Sequence, residues 1–204
     1  SLPFNLPLGN STLSFTCFDY EIIEKEDEVD VVFTTHKKEN SFPGNQDYTI
    51  VYKIYGSTIK MTYFVTTDKD TLVNITNHAY FNLSGNLSNT IMDHKVYINS
   101  SRALTLNDKF SPQGIYDSRG THLDFKEMKK VKDNFFEGIY DLNEKGIDNP
   151  LLLDEVGIDI KQVEMIDEAS GRTLEIYTTY PCVVCYTHNH INEKRLLFDK
   201  EHVR

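Results

Sequence analysis

One imidazole set among amides and phenols is the chemistry that stands out in this chain. His78 follows Asn77 and opens the run Ala79-Tyr80-Phe81-Asn82-Leu83-Ser84-Gly85, so Asn77, Tyr80 and Asn82 put hydrogen-bonding groups around it. An imidazole gains and loses a proton near neutral pH. Amides and a phenol beside it suit a hydroxyl-rich ligand better than a dry core. The competing reading is a structural histidine packed by Tyr80 and Phe81, and on pattern alone that reading is the commoner one. Asp148 is the second candidate: it stands in Gly146-Ile147-Asp148-Asn149-Pro150, ahead of three leucines, where a carboxylate either caps a turn or binds a ligand. His188 and His190 lie two apart and share a strand face, a spacing metals use, but the sequence fixes no third ligand among His94, His122 and the carboxylates. Cys182-Val183-Val184-Cys185 has redox or half-zinc spacing, yet it sits in a strand-like run without a second pair, which favours a structural role. Gly-x-Ser-x-Gly, a phosphate-cradling glycine loop and His-Glu-x-x-His are all absent from the sequence, so serine nucleophile chemistry and nucleotide binding are not supported.

The elements that must position these groups are strands. Leu72, Asn74 and Thr76 alternate with Val73, Ile75 and Asn77, which predicts a strand delivering His78 to its end. Short β-branched and aromatic runs over 13–18, 20–25 and 29–34 are separated by acidic turns and read as a meander. Strands are expected over 48–55 and 58–66 with Gly56-Ser57 as a tight hairpin, then over 95–100, 158–166, 172–179 and 182–188. Residues 104–120 read as an ordered excursion, and 125–136 as the one helical candidate, with Phe125, Met128, Val131 and Phe135 near the helical period. Many short strands with hairpin turns call for an all-β antiparallel sandwich or barrel.

At 204 residues one domain spanning 1–204 is expected, large enough to hold a pocket. A net charge of -10, from 31 acidic and 21 basic residues, argues against nucleic acid and anionic membrane as partners; the basic residues cluster only at Lys129-Lys130-Val131-Lys132. Three cysteines are too few for a disulfide framework and suggest a reducing compartment. No apolar run reaches membrane-spanning length, and a soluble, cytoplasmic protein is expected. The chain lacks an initiator Met, and Ser1-Leu2-Pro3-Phe4 and Arg204 read as interior to a longer protein.

The run Asn77 to Gly85 resembles the signature of the aldose 1-epimerases, the galactose mutarotases, and four further stretches match in the family's order. Phe42-Pro43-Gly44-Asn45 is similar to its Tyr-Pro-Gly turn, and Gly120-Thr121-His122-Leu123-Asp124-Phe125 to its Gly-Thr-Pro-Phe-Asp-Phe element. Gly146-Ile147-Asp148 resembles its Gly-Phe-Asp turn, and Ser170-Gly171-Arg172 followed by Thr173 to Thr179 its Ser-Gly-Arg strand.

The resemblance implies an antiparallel β-supersandwich, here lacking part of the terminal strands, and a free hexose such as galactose or glucose as substrate. It implies interconversion of α and β anomers by acid-base ring opening, with no cofactor or metal. His78 matches the general acid at the ring oxygen, Asp148 the carboxylate that accepts sugar hydroxyls, and Tyr80 a pocket wall; Asn77 is the further substrate-binding candidate. Three departures accompany the match. The family's Glu-Thr-Gln motif with its general base has no counterpart, nor do its substrate-binding arginine and Leu-His-Gly-Gly element, to which Leu6-Pro7-Leu8-Gly9 is nearest. Tyr180 stands where the family has Gln, and Cys182 where it has Gly. The expectation is an isomerase acting as monomer or homodimer; the alternative is a homologue that binds carbohydrate without turning it over. Truncated sheets would also leave strand edges open to self-association.

Overall fold

The computed structural model describes residue 13, residues 16–39, 42–85, 89–107, 111–134 and 146–187, and the backbone of 196–197 and 200–201. The chain divides into two compact units, Ser1–Ala79 and Tyr80–Arg204.

The first unit is a four-stranded antiparallel meander, β1 (Asp19–Glu24), β2 (Val29–Lys37), β3 (Gln46–Tyr55) and β4 (Thr58–Thr67), in sequence order. The register runs without a slip from Gln46 opposite Thr67 to Tyr55 opposite Thr58, so the two-residue Gly56-Ser57 turn holds the longest hairpin in line. Phe33 on β2 meets Tyr52 on β3 edge to face at 5.7 Å, and Phe18 continues the row against Phe33 at 6.5 Å, an arrangement that aromatic quadrupoles favour. The carboxylate of Asp30, buried on β2, accepts from Lys25 Nζ at 2.8 Å. Residues 16–18 of the strand expected over 13–18 lead into β1 without strand structure, and 14–15 lie outside the described residues. The strand expected over 72–77 does not form: residues 70–82 carry no ladder, and short polar side chains hydrogen-bond the local backbone in its place.

The second unit is a sandwich of two antiparallel four-stranded sheets. One has the order β11 (Arg172–Thr178), β10 (Gly157–Asp167), β5 (Lys95–Ile98), β8 (Lys129–Lys130); the other has β12 (Cys182–Tyr186), β9 (Asp148–Leu153), β6 (Ser100–Leu106), β7 (Pro112–Asp117). The chain changes sheet at Asn99, whose N–H donates to Gln162 O at 2.8 Å and whose carbonyl accepts from Asp154 N at 2.9 Å. Between the sheets lies one core: Val96 and Ile98 from the first, Ala103, Leu151 and Leu153 from the second, closed by Leu123, Phe125, Val131 and Ile147. Full burial of each large apolar side chain stabilises the sandwich by about 1.5–3 kcal/mol. Leu196–Leu197 and Lys200–Glu201 pair as a further two-stranded ribbon, β13 and β14.

Two further expectations are corrected. Residues 104–120 are a hairpin, β6 and β7, whose register slips once between Thr105 and Leu106 and so blurs the alternation. Residues 125–136 hold no α-helix in their described part: β8 and a 3₁₀ turn, Val131–Asn134, occupy it, and 135–136 lie outside the described residues. Phe125 is taken by the sandwich core, and its carbonyl accepts from Ile98 N at 2.8 Å, so tertiary burial overrides the apparent helical period.

Candidate functional site

Asn77 and His78 close the first unit. The Asn77 amide nitrogen lies 3.4 Å from both the Tyr52 hydroxyl and the Met61 sulfur, which face each other across the β3–β4 ladder. Its carbonyl oxygen accepts from Ala79 N at 2.9 Å, an Asx turn that wraps the backbone around His78. The meander therefore sets Asn77, Asn77 sets the turn, and the turn presents an exposed His78.

Tyr80 and Asp148 belong to the second unit, and there the structure brings them together with a residue the sequence did not single out. Asp148 opens β9 directly opposite Tyr186 on β12, and opposite residues of an antiparallel pair project from the same face. Leu151 and Leu153 point into the core, so the period of two puts Asp148 on the face away from it. Ile147, 1% exposed, anchors the strand start: its N–H donates to Thr187 Oγ1 at 2.7 Å, and its carbonyl accepts from Thr187 N at 2.9 Å. The Tyr80 ring lies 5.9 Å from that of Tyr186, tilted by 57°. The result is a carboxylate beside a pair of mutually tilted phenol rings, held by a strand pair with its back in the core. Asp148 is thus a strand residue, neither turn nor helix cap.

The electrostatics agree with that grouping. Burial raises the Tyr80 hydroxyl above its usual pKa, and the neighbouring Tyr186 and Asp148 add to the rise. Burial pushes the Cys185 thiol up to about 12, again with help from Asp148. A thiol so disfavoured as thiolate is a poor nucleophile and a poor metal ligand, and all three cysteines are free of disulfides. Among the described residues no three His, Cys, Asp or Glu side chains gather as a metal cluster. His188 and His190 lie outside the described residues.

The far end of the signature run is clamped by the β10–β11 hairpin. Leu83 O accepts from Ser170 Oγ at 2.8 Å and from Arg172 Nη1 at 3.2 Å, and Ser84 O from the same nitrogen at 3.3 Å. Asn82 Oδ1 accepts from Ser84 N and Oγ, and Asn82 Nδ2 donates to Asn89 O. Gly85 takes φ +65°, and a Cβ there would stand 2.7 Å from Arg172 Nη1. Gly85→Ala should cost about 2 kcal/mol from the left-handed backbone and the displaced guanidinium together, lowering Tm by about 4–8 °C. Gly171→Ala carries the same kind of strain at φ +72° with nothing in the way of its Cβ. In thermal melts the excess of the first over the second reports the Arg172 clamp; equal losses would remove it.

Tyr186 escaped the sequence because a ladder partner depends on register, and no local pattern near Asp148 encodes it. Tyr180, whose N–H donates to Thr178 Oγ1 at 3.0 Å, sits in the turn between β11 and β12.

Comparison with known proteins gives these motifs a common origin. The chain is 30% identical over 174 residues to the aldose 1-epimerase of Escherichia coli K12, covering 83% of this chain and 50% of that protein. It is 31% identical over 155 residues to the galactose mutarotase of Mus musculus, covering 76% of this chain and 44% of that one. The chain thus spans about half the length of the relatives it matches. Its fold matches the crystal structure of galactose 1-epimerase from Lactobacillus acidophilus with a TM-score of 0.73 at 23% identity, over 86% of this chain and 52% of that one. No helix among the described residues is long and apolar enough to cross a membrane. With residues 11–202 matching the family model described as aldose 1-epimerase, the chain belongs to the aldose 1-epimerase family.

Proposed function

We propose that the protein containing this chain interconverts the α and β anomers of a free hexose, galactose or glucose, through the open-chain aldehyde. The observation that carries the reading is Asp148 paired across the ladder with Tyr186, whose ring packs against that of Tyr80, in a chain matched to the family from residue 11 to residue 202. A pyranose has an apolar C–H face that rests on aromatic rings and a hydroxyl rim that donates to a carboxylate, so this grouping matches both halves of a sugar's surface. In the proposed reaction His78 protonates the ring oxygen as the C1 to O5 bond opens, and takes the proton back when the ring closes on the other face of C1. Asn77 and Tyr80 contact the sugar, and Asp148 accepts from its hydroxyls. The C1 hydroxyl proton must leave to a base; the family's Glu-Thr-Gln motif has no counterpart between Ser1 and Arg204, and no residue is proposed for that role. The three free cysteines support a cytoplasmic setting, and a monomer or homodimer is proposed.

Polarimetry of freshly dissolved α-D-galactose and α-D-glucose with the intact gene product tests the reaction. Relaxation of the rotation well above the spontaneous rate is expected. Tyr180 and Cys182, where the family has Gln and Gly, favour a second reading, a sugar-binding homologue without turnover. Sugar binding by calorimetry without faster relaxation would select it over the enzyme.

A further inference from the structure

His94 is 1% exposed, the only histidine among the described residues to be fully buried. Its Nε2 accepts a hydrogen bond from Leu83 N at 3.0 Å. Backbone bonds on either side of the ring fix its origin: His94 N donates to Ile91 O, and Val131 N to His94 O, both at 3.0 Å. An acceptor at Nε2 requires the proton on Nδ1, and Nδ1 is buried without a partner among the described residues. A leucine or methionine would fill the same space without desolvating two polar atoms. What the imidazole adds is the acceptor aimed at Leu83. On the other side of the same peptide run, Leu83 O is held by Ser170 and Arg172, so both polar groups of Leu83 are tied to rigid elements of the sandwich.

We propose that His94 is a positioning residue: a buried neutral imidazole whose Nε2 fixes the backbone at Leu83 and thereby holds Tyr80, three residues upstream, in its place beside Tyr186. Its consequence for turnover rests on the mutarotase reading; the hydrogen bond and its effect on Tyr80 do not. Protonating the ring would turn Nε2 into a donor facing the Leu83 donor, and the bond would be lost. The charged groups facing His94 are Asp167 and Asp93, both of which favour the imidazolium, while burial opposes it more strongly and holds the pKa below that of a free histidine. A depressed folded pKa gives stability that is complete above the unfolded value of about 6.5 and is lost as pH falls through the folded value.

Two variants and one spectrum test this on the intact gene product. The ¹⁵N spectrum of His94 at pH 7.5 should show the Nδ1–H tautomer with a bare Nε2. His94→Gln places an amide oxygen near Nε2, and His94→Leu keeps the bulk without an acceptor. Amide exchange at Leu83 should quicken at least about tenfold in the leucine variant and stay near wild type in the glutamine variant. If the enzyme reading holds, kcat should fall about 10- to 100-fold in His94→Leu, with glutamine recovering most of it. An Nε2–H tautomer, or unchanged Leu83 exchange in folded His94→Leu, overturns the proposal. Where the wild-type protein turns sugar over, equal kcat in all three proteins also overturns the positioning role. The tautomer and exchange readouts need no turnover, so an inactive protein leaves them decisive.

Discussion

His78→Asn should lower kcat for mutarotation by about 10²- to 10⁴-fold, the range a general acid contributes, which corresponds to about 3–5 kcal/mol of transition-state stabilisation. The pyranose ring oxygen is a weak base, and cleavage of the C1 to O5 bond puts negative charge on it, so a proton delivered there matters most at the transition state. Asparagine keeps a polar side chain of similar reach but has no proton to give. The sugar should still bind, leaving KM within a few fold, because the contacts proposed for Asp148 and Tyr80 are untouched. His78 is exposed, so the variant should still fold, which a cooperative thermal melt verifies. Polarimetric initial rates at saturating galactose make the measurement; an unchanged rate would remove His78 from the mechanism.

The sequence carried a good deal of this, for reasons that lie in particular residues. The meander was legible because Tyr48 to Tyr55 and Thr58 to Thr66 are rich in β-branched and aromatic residues and are joined by two residues, which leaves one register open. The segment before His78 also has a strand's alternation, yet it joins no ladder among the described residues, since alternation records which side chains can share a face and is silent on whether a partner strand arrives. Phe125, Met128 and Val131 mimic a helix for a similar reason. Phe125 and Val131 reach one core from a loop and a 3₁₀ turn, and spacing along the chain cannot tell one cylinder from two short elements sharing a core. The site residues divide along the same line. His78, Asn77 and Tyr80 are close in sequence and were visible as a group, and Asp148 stood out by its turn-like setting. Tyr186 and His94 act through contacts made 38 and 11 residues away, with Asp148 and Leu83, and only the fold creates those contacts.

Asp148→Ala should have the second large effect, and it should fall on a different constant. A carboxylate accepting from two sugar hydroxyls makes charge-assisted bonds of about 1.5–3 kcal/mol each, so losing both corresponds to about 10²- to 10⁴-fold in kcat/KM. In the proposed role those hydroxyls are not the one on C1, so the bonds would be as strong in the ground state as in the transition state, and the loss should appear in KM with kcat changing little. Asp148→Asn keeps the shape and one acceptor and should lose roughly half as much free energy, since neutral hydrogen bonds are about half as strong as charged ones. Neither change touches the inward-facing Leu151 and Leu153 of β9 or the Ile147 to Thr187 bonds, so the strand should hold. Polarimetry across a range of galactose concentrations gives KM and kcat, and calorimetry gives the affinity directly. The affinity loss is expected even of a homologue that binds without turnover, whereas the His78 effect is expected only of an enzyme. A protein in which Asp148→Ala weakens binding and His78→Asn changes nothing measurable is therefore a binding module. One in which the two substitutions separate into KM and kcat has its carboxylate holding the sugar and its imidazole opening the ring.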